Sequence, residues 1–162
     1  MARQMMTPDG KPSRSHVRRP RSCPKFRPRA VAFVEVNLQK YLLIAIGGAL
    51  GSVTRYLVGS TVANRMGTRF PYGTFVINLT ACLIIGFFLA AAGRRAEVNP
   101  GLRFLIPIGF VGAYSTFSTF EWETFVHLQT GDFLIAALYV SLSILLGLLA
   151  VWAGVVLARF AF

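Results

Sequence analysis

The chain has 162 residues, of which 54% are apolar and only 14% are charged, and its formal net charge is +11. The chain is long enough for one domain, but it has too few charged residues to be an ordinary soluble domain. Its composition suits a lipid bilayer. The two cysteines, Cys23 and Cys82, fall in different surroundings and indicate neither a disulfide framework nor a metal site.

The first 40 residues are basic: ten of the seventeen Lys and Arg residues lie there, against Asp9 and Glu35. Without helical periodicity or enough apolar residues for a core, residues 1–40 are predicted to be a disordered extension. An organellar leader and a surface that adheres to anionic lipid are alternatives. The favoured hypothesis is translation from Val36 through a non-AUG codon, so that the mature protein lacks the extension.

Four apolar stretches follow. Each is close to the roughly 20 residues that a helix needs to cross a hydrocarbon core of about 30 Å. They are residues 41–62, 73–93, 103–128 and 133–158, which together define a membrane domain over residues 41–160. The loops between them are short, so neighbouring helices run antiparallel. The predicted fold is an all-α integral membrane protein with four transmembrane helices.

Basic residues near the helix ends divide unequally between the two sides of the membrane. On the side of both termini they are Lys40, Arg94, Arg95, Arg103 and Arg159, and on the other side Arg65 and Arg69. The positive-inside rule favours cytoplasmic termini and a plasma or inner membrane location. Without the extension, the difference in basic residues between the two sides is modest. A protein that inserts in both orientations needs such a weak difference.

The first helix combines a charge with small residues. Arg55 would cost at least about 3 kcal/mol at a helix centre, so it either snorkels to the interface or attracts anions in an aqueous vestibule. Gly47 and Gly51 form a small-xxx-small pair, and a second pair is Gly48 and Ser52. Such pairs let a helix approach another backbone closely.

Polar residues are sparse in the second and fourth stretches. Thr74, Asn78 and Cys82 recur every four positions and share one helix face. Asn78 is either an interhelical hydrogen-bonding residue or a donor of N–H groups to an anion. Tyr139 and Ser143, one turn apart on the fourth helix, offer hydroxyls for packing or for the same anion.

The third stretch contains the sequence GFVGAYSTFSTF at residues 109–120. Its glycines and hydroxyl residues predict a helix broken near its middle, whose freed carbonyls bond to protein, water or an ion. Phe117 and Phe120 share one face, with Ser118 and Thr119 between them. Either the rings face lipid and the hydroxyls bond to their own helix, or ring edges and hydroxyls meet a small anion.

Titratable residues beyond this motif are few. Glu121 and Glu123 have no His or Cys cluster nearby and are interpreted as mouth or interface residues, and His127 as a lone interfacial histidine. No Ser–His, Cys–His or metal-ligating constellation is present in the sequence pattern, so no enzymatic activity is expected.

Three motifs occur in order on successive predicted helices: GGALGSVTRY at 47–56, PYGTFVIN at 71–78 and STFSTF at 115–120. With them the chain resembles the Fluc (CrcB) family of fluoride-specific ion channels over about residues 41–160. The resemblance implies an antiparallel, dual-topology homodimer that exports fluoride passively from the cytoplasm and relieves fluoride toxicity. The implied partners are fluoride, a second copy of the chain and membrane lipid, and no nucleic acid.

The resemblance also implies roles for individual residues. The fluoride pore would be lined by Asn78, Phe117, Ser118, Thr119, Phe120, Tyr139 and Ser143. Phe117 and Phe120 would be paired rings, and Arg55 would lie near the vestibule. The break from Gly112 to Ser115 resembles the family's central sodium site, where backbone carbonyls of both subunits hold structural Na⁺. Ala81, Ala113 and Ser115 depart from the family's usual residues, but ligation by carbonyls depends little on side chains.

Two other functions remain open. A small proton-coupled exporter needs a membrane-buried carboxylate, and the first, second and fourth helices contain no Asp or Glu. A non-transporting accessory subunit would use the glycine and hydroxyl faces for packing alone.

Overall fold

The computed structural model describes residues 38–94 and 99–161, which are helical apart from short connections and contain no β-strand. The long helices are α1 (Leu38–Met66), α2 (Tyr72–Arg94) and α6 (Phe133–Ala161). Between α2 and α6 lie α3 (Pro100–Arg103), a π-helix (Phe104–Val111), α4 (Gly112–Tyr114) and α5 (Phe117–Gln129). The predicted extension lies outside the described residues, except that residues 38–40 form the first turn of α1.

Among the described residues, three helices are long and apolar enough to cross a membrane. They are α1, α2 and α6, with mean hydropathies of 1.5, 2.4 and 2.6. Each extends a few residues beyond the predicted stretch at one or both ends. The predicted third stretch is divided among several shorter helices, which we call together the interrupted helix (residues 100–129).

The interrupted helix changes its hydrogen-bonding pattern along its length. Pro107 has no N–H to donate and lies inside the π-helical stretch, a form that recurs at functional sites. Ser115 (φ −74°, ψ 157°) and Thr116 (φ −147°, ψ 111°) are extended. The predicted break is therefore present, but its position is corrected: Gly112 is helical, and Ser115 and Thr116 are the residues that leave the helix.

Glycines bring α1 into backbone contact with the interrupted helix. A Cβ atom on Gly47 would overlap the carbonyl oxygen of Leu105, and one on Gly51 would overlap that of Phe110. The predicted close approach by this glycine pair is confirmed. The second pair takes no part in it, because a Cβ on Gly48 would have no neighbour nearer than 4.0 Å and Ser52 is exposed.

The helices α2 and α6 run parallel to each other and also make close backbone contacts at glycines. A Cβ on Gly86 would overlap the carbonyl oxygen of Val151, and one on Gly154 would overlap that of Leu83. The backbones therefore approach closely enough for van der Waals attraction to hold the two helices together. Such attraction matters in a bilayer, because apolar lipid tails provide no hydrophobic driving force for helix association.

A small apolar core lies between α2 and the interrupted helix. Its buried residues are Ile77, Ala81, Val111 and Tyr114. The phenol oxygen of Tyr114 is 2.8 Å from Oγ1 of Thr80, so this buried polar group is paired. Most large apolar side chains on the outer faces of α1 and α6 are exposed in the single chain, which suits contact with lipid or with another copy.

The glycine contacts generate a matched pair of variants. Gly47→Ala forces a methyl group against the Leu105 carbonyl and should destabilise the fold by about 1–3 kcal/mol, the usual range for overpacking. Gly48→Ala adds the same methyl one position along, without a close contact, and should raise stability by up to about 1 kcal/mol, because alanine favours a helix more than glycine does. Thermal unfolding in detergent measures both, and equal midpoints would contradict the packing described.

Candidate functional site

The break in the interrupted helix is held by one side chain of α2. The N–H of Thr116 donates to Oδ1 of Asn78 at 3.0 Å, and Nδ2 of Asn78 donates to the Thr116 carbonyl at 3.2 Å. The carboxamide thus satisfies both polar groups of an extended residue that lipid could not satisfy. Asn78, predicted to line the pore, also fixes the break to α2.

Thr116 starts the helix that follows. Its Oγ1 accepts a hydrogen bond from the N–H of Thr119 at 3.3 Å and donates one to Thr119 Oγ1 at 2.9 Å. This is an N-cap, which satisfies one of the free N–H groups at the start of α5. Sequence analysis did not single out Thr116, although a threonine just before an apolar helix is a recognised N-cap signal.

The break releases backbone carbonyls. In a continuous helix the Gly112 carbonyl would accept from the N–H of Thr116, but that N–H bonds to Asn78. Ser115 is extended, so its carbonyl also leaves the helical ladder. Gly112 is exposed and Ser115 half-buried, and oxygen ligands suit a hard cation. These residues therefore fit the predicted carbonyl-held Na⁺, provided that further ligands come from elsewhere.

Three aromatic rings form a row from the surface into the protein. The centroids of Phe117 and Phe120 are 6.0 Å apart, and those of Phe120 and Tyr139 are 4.9 Å apart. Phe117 is 73% exposed, Phe120 8% and Tyr139 0%. Phe70 packs edge-on against the inner end of the row, 5.3 Å from Tyr139. The structure thus brings the three predicted rings together, with very different exposure.

A carboxylate that sequence analysis placed at a mouth or interface lies between helices. Glu123 is half-buried; its Oε1 accepts from Thr74 Oγ1 at 2.8 Å and its Oε2 from the Tyr139 hydroxyl at 2.7 Å. It therefore links α5 to α2 and α6. Spacing in the sequence indicated only that Glu123 shares a helix face with Phe120 and that Thr74 shares one with Asn78, and it did not indicate that these faces meet.

Two cavities flank this site. The larger, about 450 Å³, is lined by Thr74, Trp122, Glu123 and His127 among others. His127 Nδ1 lies 3.7 Å from an oxygen of Asp132, which closes the turn between α5 and α6. The smaller cavity, about 210 Å³, is lined by Ala81, Ile85, Val111, Asn78, Cys82, Ser115 and Phe117. The site residues thus lie between the larger cavity and a smaller one beside the break.

The remaining predicted residues are arranged around this centre. Ser118 and Thr119 are exposed next to Phe117. Ser143 is one turn beyond Tyr139, and its buried hydroxyl has no hydrogen-bond partner among the described residues. Arg55 is half-buried one turn beyond Gly51, and within the described part of the chain no carboxylate is close enough to form an ion pair with it.

Comparisons with known proteins give a matching family model and several curated relatives. A family model described as "CrcB-like protein, Camphor Resistance (CrcB)" matches residues 42–155. A curated relative from Acidobacterium capsulatum is 52% identical over 120 residues, 74% of this chain and 96% of its own length. One from Solibacter usitatus is 46% identical, over 74% of this chain and 98% of its own length. One from Flavobacterium psychrophilum is 46% identical, over 72% of this chain and 94% of its own length. All three relatives are named fluoride-specific ion channel FluC.

Removing the carboxamide of Asn78 should loosen the break. In Asn78→Ala both backbone groups of Thr116 lose their partner, at about 1–3 kcal/mol for each buried group left unsatisfied. Amide deuterium exchange at Thr116 should accelerate and the unfolding midpoint should fall. Asn64→Ala makes the same change at an exposed position and should alter neither. Unchanged exchange at Thr116 would refute the role given to Asn78.

The hydrogen bond between Tyr139 and Glu123 can be isolated with a double-mutant cycle. Tyr139→Phe keeps the ring packed on Phe120 and removes only the donor to the carboxylate. Combined with Glu123→Ala, which removes the acceptor, it should show a coupling free energy of about 0.5–3 kcal/mol in unfolding measurements. Tyr56→Phe, which loses an exposed hydroxyl, is the control. Strict additivity of the two site variants would show that the bond contributes nothing.

Proposed function

This chain belongs to the CrcB family, whose model covers residues 42–155, and from that membership we propose that it is a fluoride-selective passive ion channel. It is a multi-pass membrane protein and, as a channel, not an enzyme. Export of fluoride from the cytoplasm would relieve fluoride toxicity. The single observation that carries the proposal is 52% identity to a fluoride-specific ion channel over nearly that relative's full length.

The geometry around Phe117 supplies the chemistry that such a channel needs. Aromatic ring edges are electropositive, and hydroxyls and amides donate hydrogen bonds without the full charge that would trap an anion. Phe117, Ser118 and Thr119 offer a ring and two hydroxyls on the exposed side of α5. Asn78 uses one N–H of Nδ2 on Thr116, so its second N–H is available to fluoride.

Two further groups suit the same path. The hydroxyl of Ser143 is buried and unpaired in the described residues, so an anion beside it would gain a hydrogen bond and relieve a desolvated group. Arg55 has no acidic partner in the described part of the chain, so its charge remains free to raise the anion concentration in a vestibule. With Phe120 and Tyr139 in the inner part of the row, these residues complete the proposed pore.

A second copy is needed to complete the path. In the single chain Phe117 is open on one side, and so is the exposed Gly112 beside the break. We propose that the interrupted helix is the fourth membrane crossing and that an antiparallel, dual-topology homodimer covers these surfaces. A twofold dimer is the simplest closed assembly, and it would create two equivalent pores.

Na⁺ would be held at the centre of that dimer. The Gly112 and Ser115 carbonyls, released by the break, would supply ligands from each copy. When bound, the ion would supply a fixed positive charge between the two copies. Since Gly112 has no side chain and Ser115 would use its carbonyl, the departures from the family's usual residues nearby leave this role intact.

One observation favours a second candidate, a proton-coupled exporter. Such a transporter needs a carboxylate within the membrane domain, and Glu123 is half-buried beside the larger cavity. Both of its oxygens already accept hydrogen bonds, however, which suits a fixed structural carboxylate. A channel needs no proton coupling, because membrane potential contributes about 2.3 kcal/mol per unit charge per 100 mV toward anion exit.

Fluoride efflux from liposomes that contain the purified protein tests the proposal. Wild-type protein should pass fluoride much faster than chloride. Phe117→Ile removes the ring and should lower fluoride flux by about two- to tenfold, from the usual worth of one aromatic interaction. Phe125→Ile makes the same change on the same helix, at an exposed ring that lines neither cavity of the site, and should leave flux unchanged.

Each alternative gives a distinct result in the same liposomes. Equal fluoride and chloride fluxes would remove the selectivity. No flux would favour the accessory subunit. Fluoride accumulation against its gradient under an imposed pH gradient would favour the exporter.

A further inference from the structure

A third cavity, about 270 Å³, lies away from the proposed pore, where the start of α1 meets the start of the interrupted helix. Its polar lining is Gln39, Lys40 and Asn99, and its apolar lining includes Leu43 and Phe104. Because these residues begin two membrane-domain helices, the cavity lies at the boundary between hydrocarbon and water. Its volume is below the roughly 300 Å³ at which pockets for drug-sized ligands begin, so it suits a small group.

Lys40 is the cation of this cavity lining, and within residues 38–94 and 99–161 it has no acidic partner. The Lys40 ammonium lies 5.4 Å from the centroid of the Phe104 ring, within the range of a cation–π interaction. No acidic side chain within the described residues forms an ion pair with it. Arg103, one residue before Phe104, is exposed and is not among the lining residues. In the sequence the carboxylates nearest to the lining residues are Glu35, five residues before Lys40, and Glu97, two residues before Asn99, and both lie outside the described residues.

The amide groups beside Lys40 complete a donor set. Oδ1 of Asn99 accepts from the N–H of Gly101 at 2.8 Å, which fixes that oxygen on the helix start and leaves the Nδ2 hydrogens as donors. Gln39 brings a second carboxamide to the same lining. A positive charge with neutral N–H donors around it is the arrangement that binds phosphate oxygens.

We propose that this cavity binds the headgroup of an anionic phospholipid. The phosphate would meet Lys40 and the amide donors, and the glycerol region would lie on Leu43 and Phe104. Basic pockets between transmembrane helices commonly hold anionic headgroups. A lipid is favoured over free phosphate because the apolar part of the lining would add nothing to the binding of a free ion. The inference requires only that the chain lies in a membrane and is independent of fluoride conduction.

Photo-crosslinking of the full chain in nanodiscs tests this site directly. The probe is phosphatidylglycerol with a photoreactive group at the glycerol end of one acyl chain, and the matched zwitterionic probe is the phosphatidylcholine analogue. Mass spectrometry measures the crosslinked fraction of peptides that cover residues 38–43 and 99–104. Because one basic side chain near a membrane surface is worth about 1 kcal/mol, labelling by phosphatidylglycerol should exceed that by phosphatidylcholine about fivefold.

Variants separate the pocket from general attraction to charge. Lys40→Gln should reduce labelling by phosphatidylglycerol to the phosphatidylcholine level, and Lys40→Arg should largely retain it. Arg159→Gln removes the same charge at the same end of the fold but outside the cavity, and should change nothing. The basic extension is common to all variants and cancels in the comparison.

Three results would overturn the proposal. Equal labelling by the two lipids would exclude recognition of charge. Equal losses in Lys40→Gln and Arg159→Gln would reduce the effect to diffuse attraction. Displacement of the lipid probe by inorganic phosphate at constant ionic strength would assign the cavity to the free ion.

Discussion

A pair of hydrogen bonds between one carboxamide and the backbone of one residue permits the rest of this architecture. An extended residue inside an apolar domain has an N–H and a carbonyl that lipid cannot satisfy. Asn78 satisfies both at Thr116, with one acceptor and one donor from a single side chain. The helix can therefore stop and restart within the membrane domain, and the carbonyl of Gly112 loses its helical partner as a consequence.

A second contact, one turn away on α2, fixes the helix that follows the break. Thr74 and Asn78 lie four residues apart on the same face; the first bonds to Glu123 and the second to Thr116. Thr116 and Glu123 lie on either side of Phe117 and Phe120 in the sequence. The start of α5, which carries both rings, therefore cannot slide along α2 without breaking one of these hydrogen bonds. The polar contacts of α2 thereby position an aromatic row that has no polar atoms of its own until it reaches the Tyr139 hydroxyl.

The positions of the glycines decide which helix faces pack inside one chain and which remain exposed. Gly47 and Gly51 draw α1 onto the first half of the interrupted helix, and Gly86 and Gly154 draw α2 and α6 together. These contacts use two glycine faces inside the chain, whereas the pair of Gly48 and Ser52 stays outside them. The exposed ring of Phe117 is left without a covering element, and the proposed second copy would cover it together with the released carbonyls.

Sequence alone determined the features that depend on local chemistry. Stretch length and hydropathy predicted α1, α2 and α6, and the glycine and hydroxyl content of residues 109–120 predicted a break, because helix length and backbone satisfaction in lipid are local constraints. Tertiary structure decided what depends on neighbours. Phe117 and Phe120 share a helix face, yet only Phe120 is covered, by Tyr139 of α6. Glu123 is an internal link because Thr74 and Tyr139 converge on it from two other helices, and no spacing within one helix encodes that convergence.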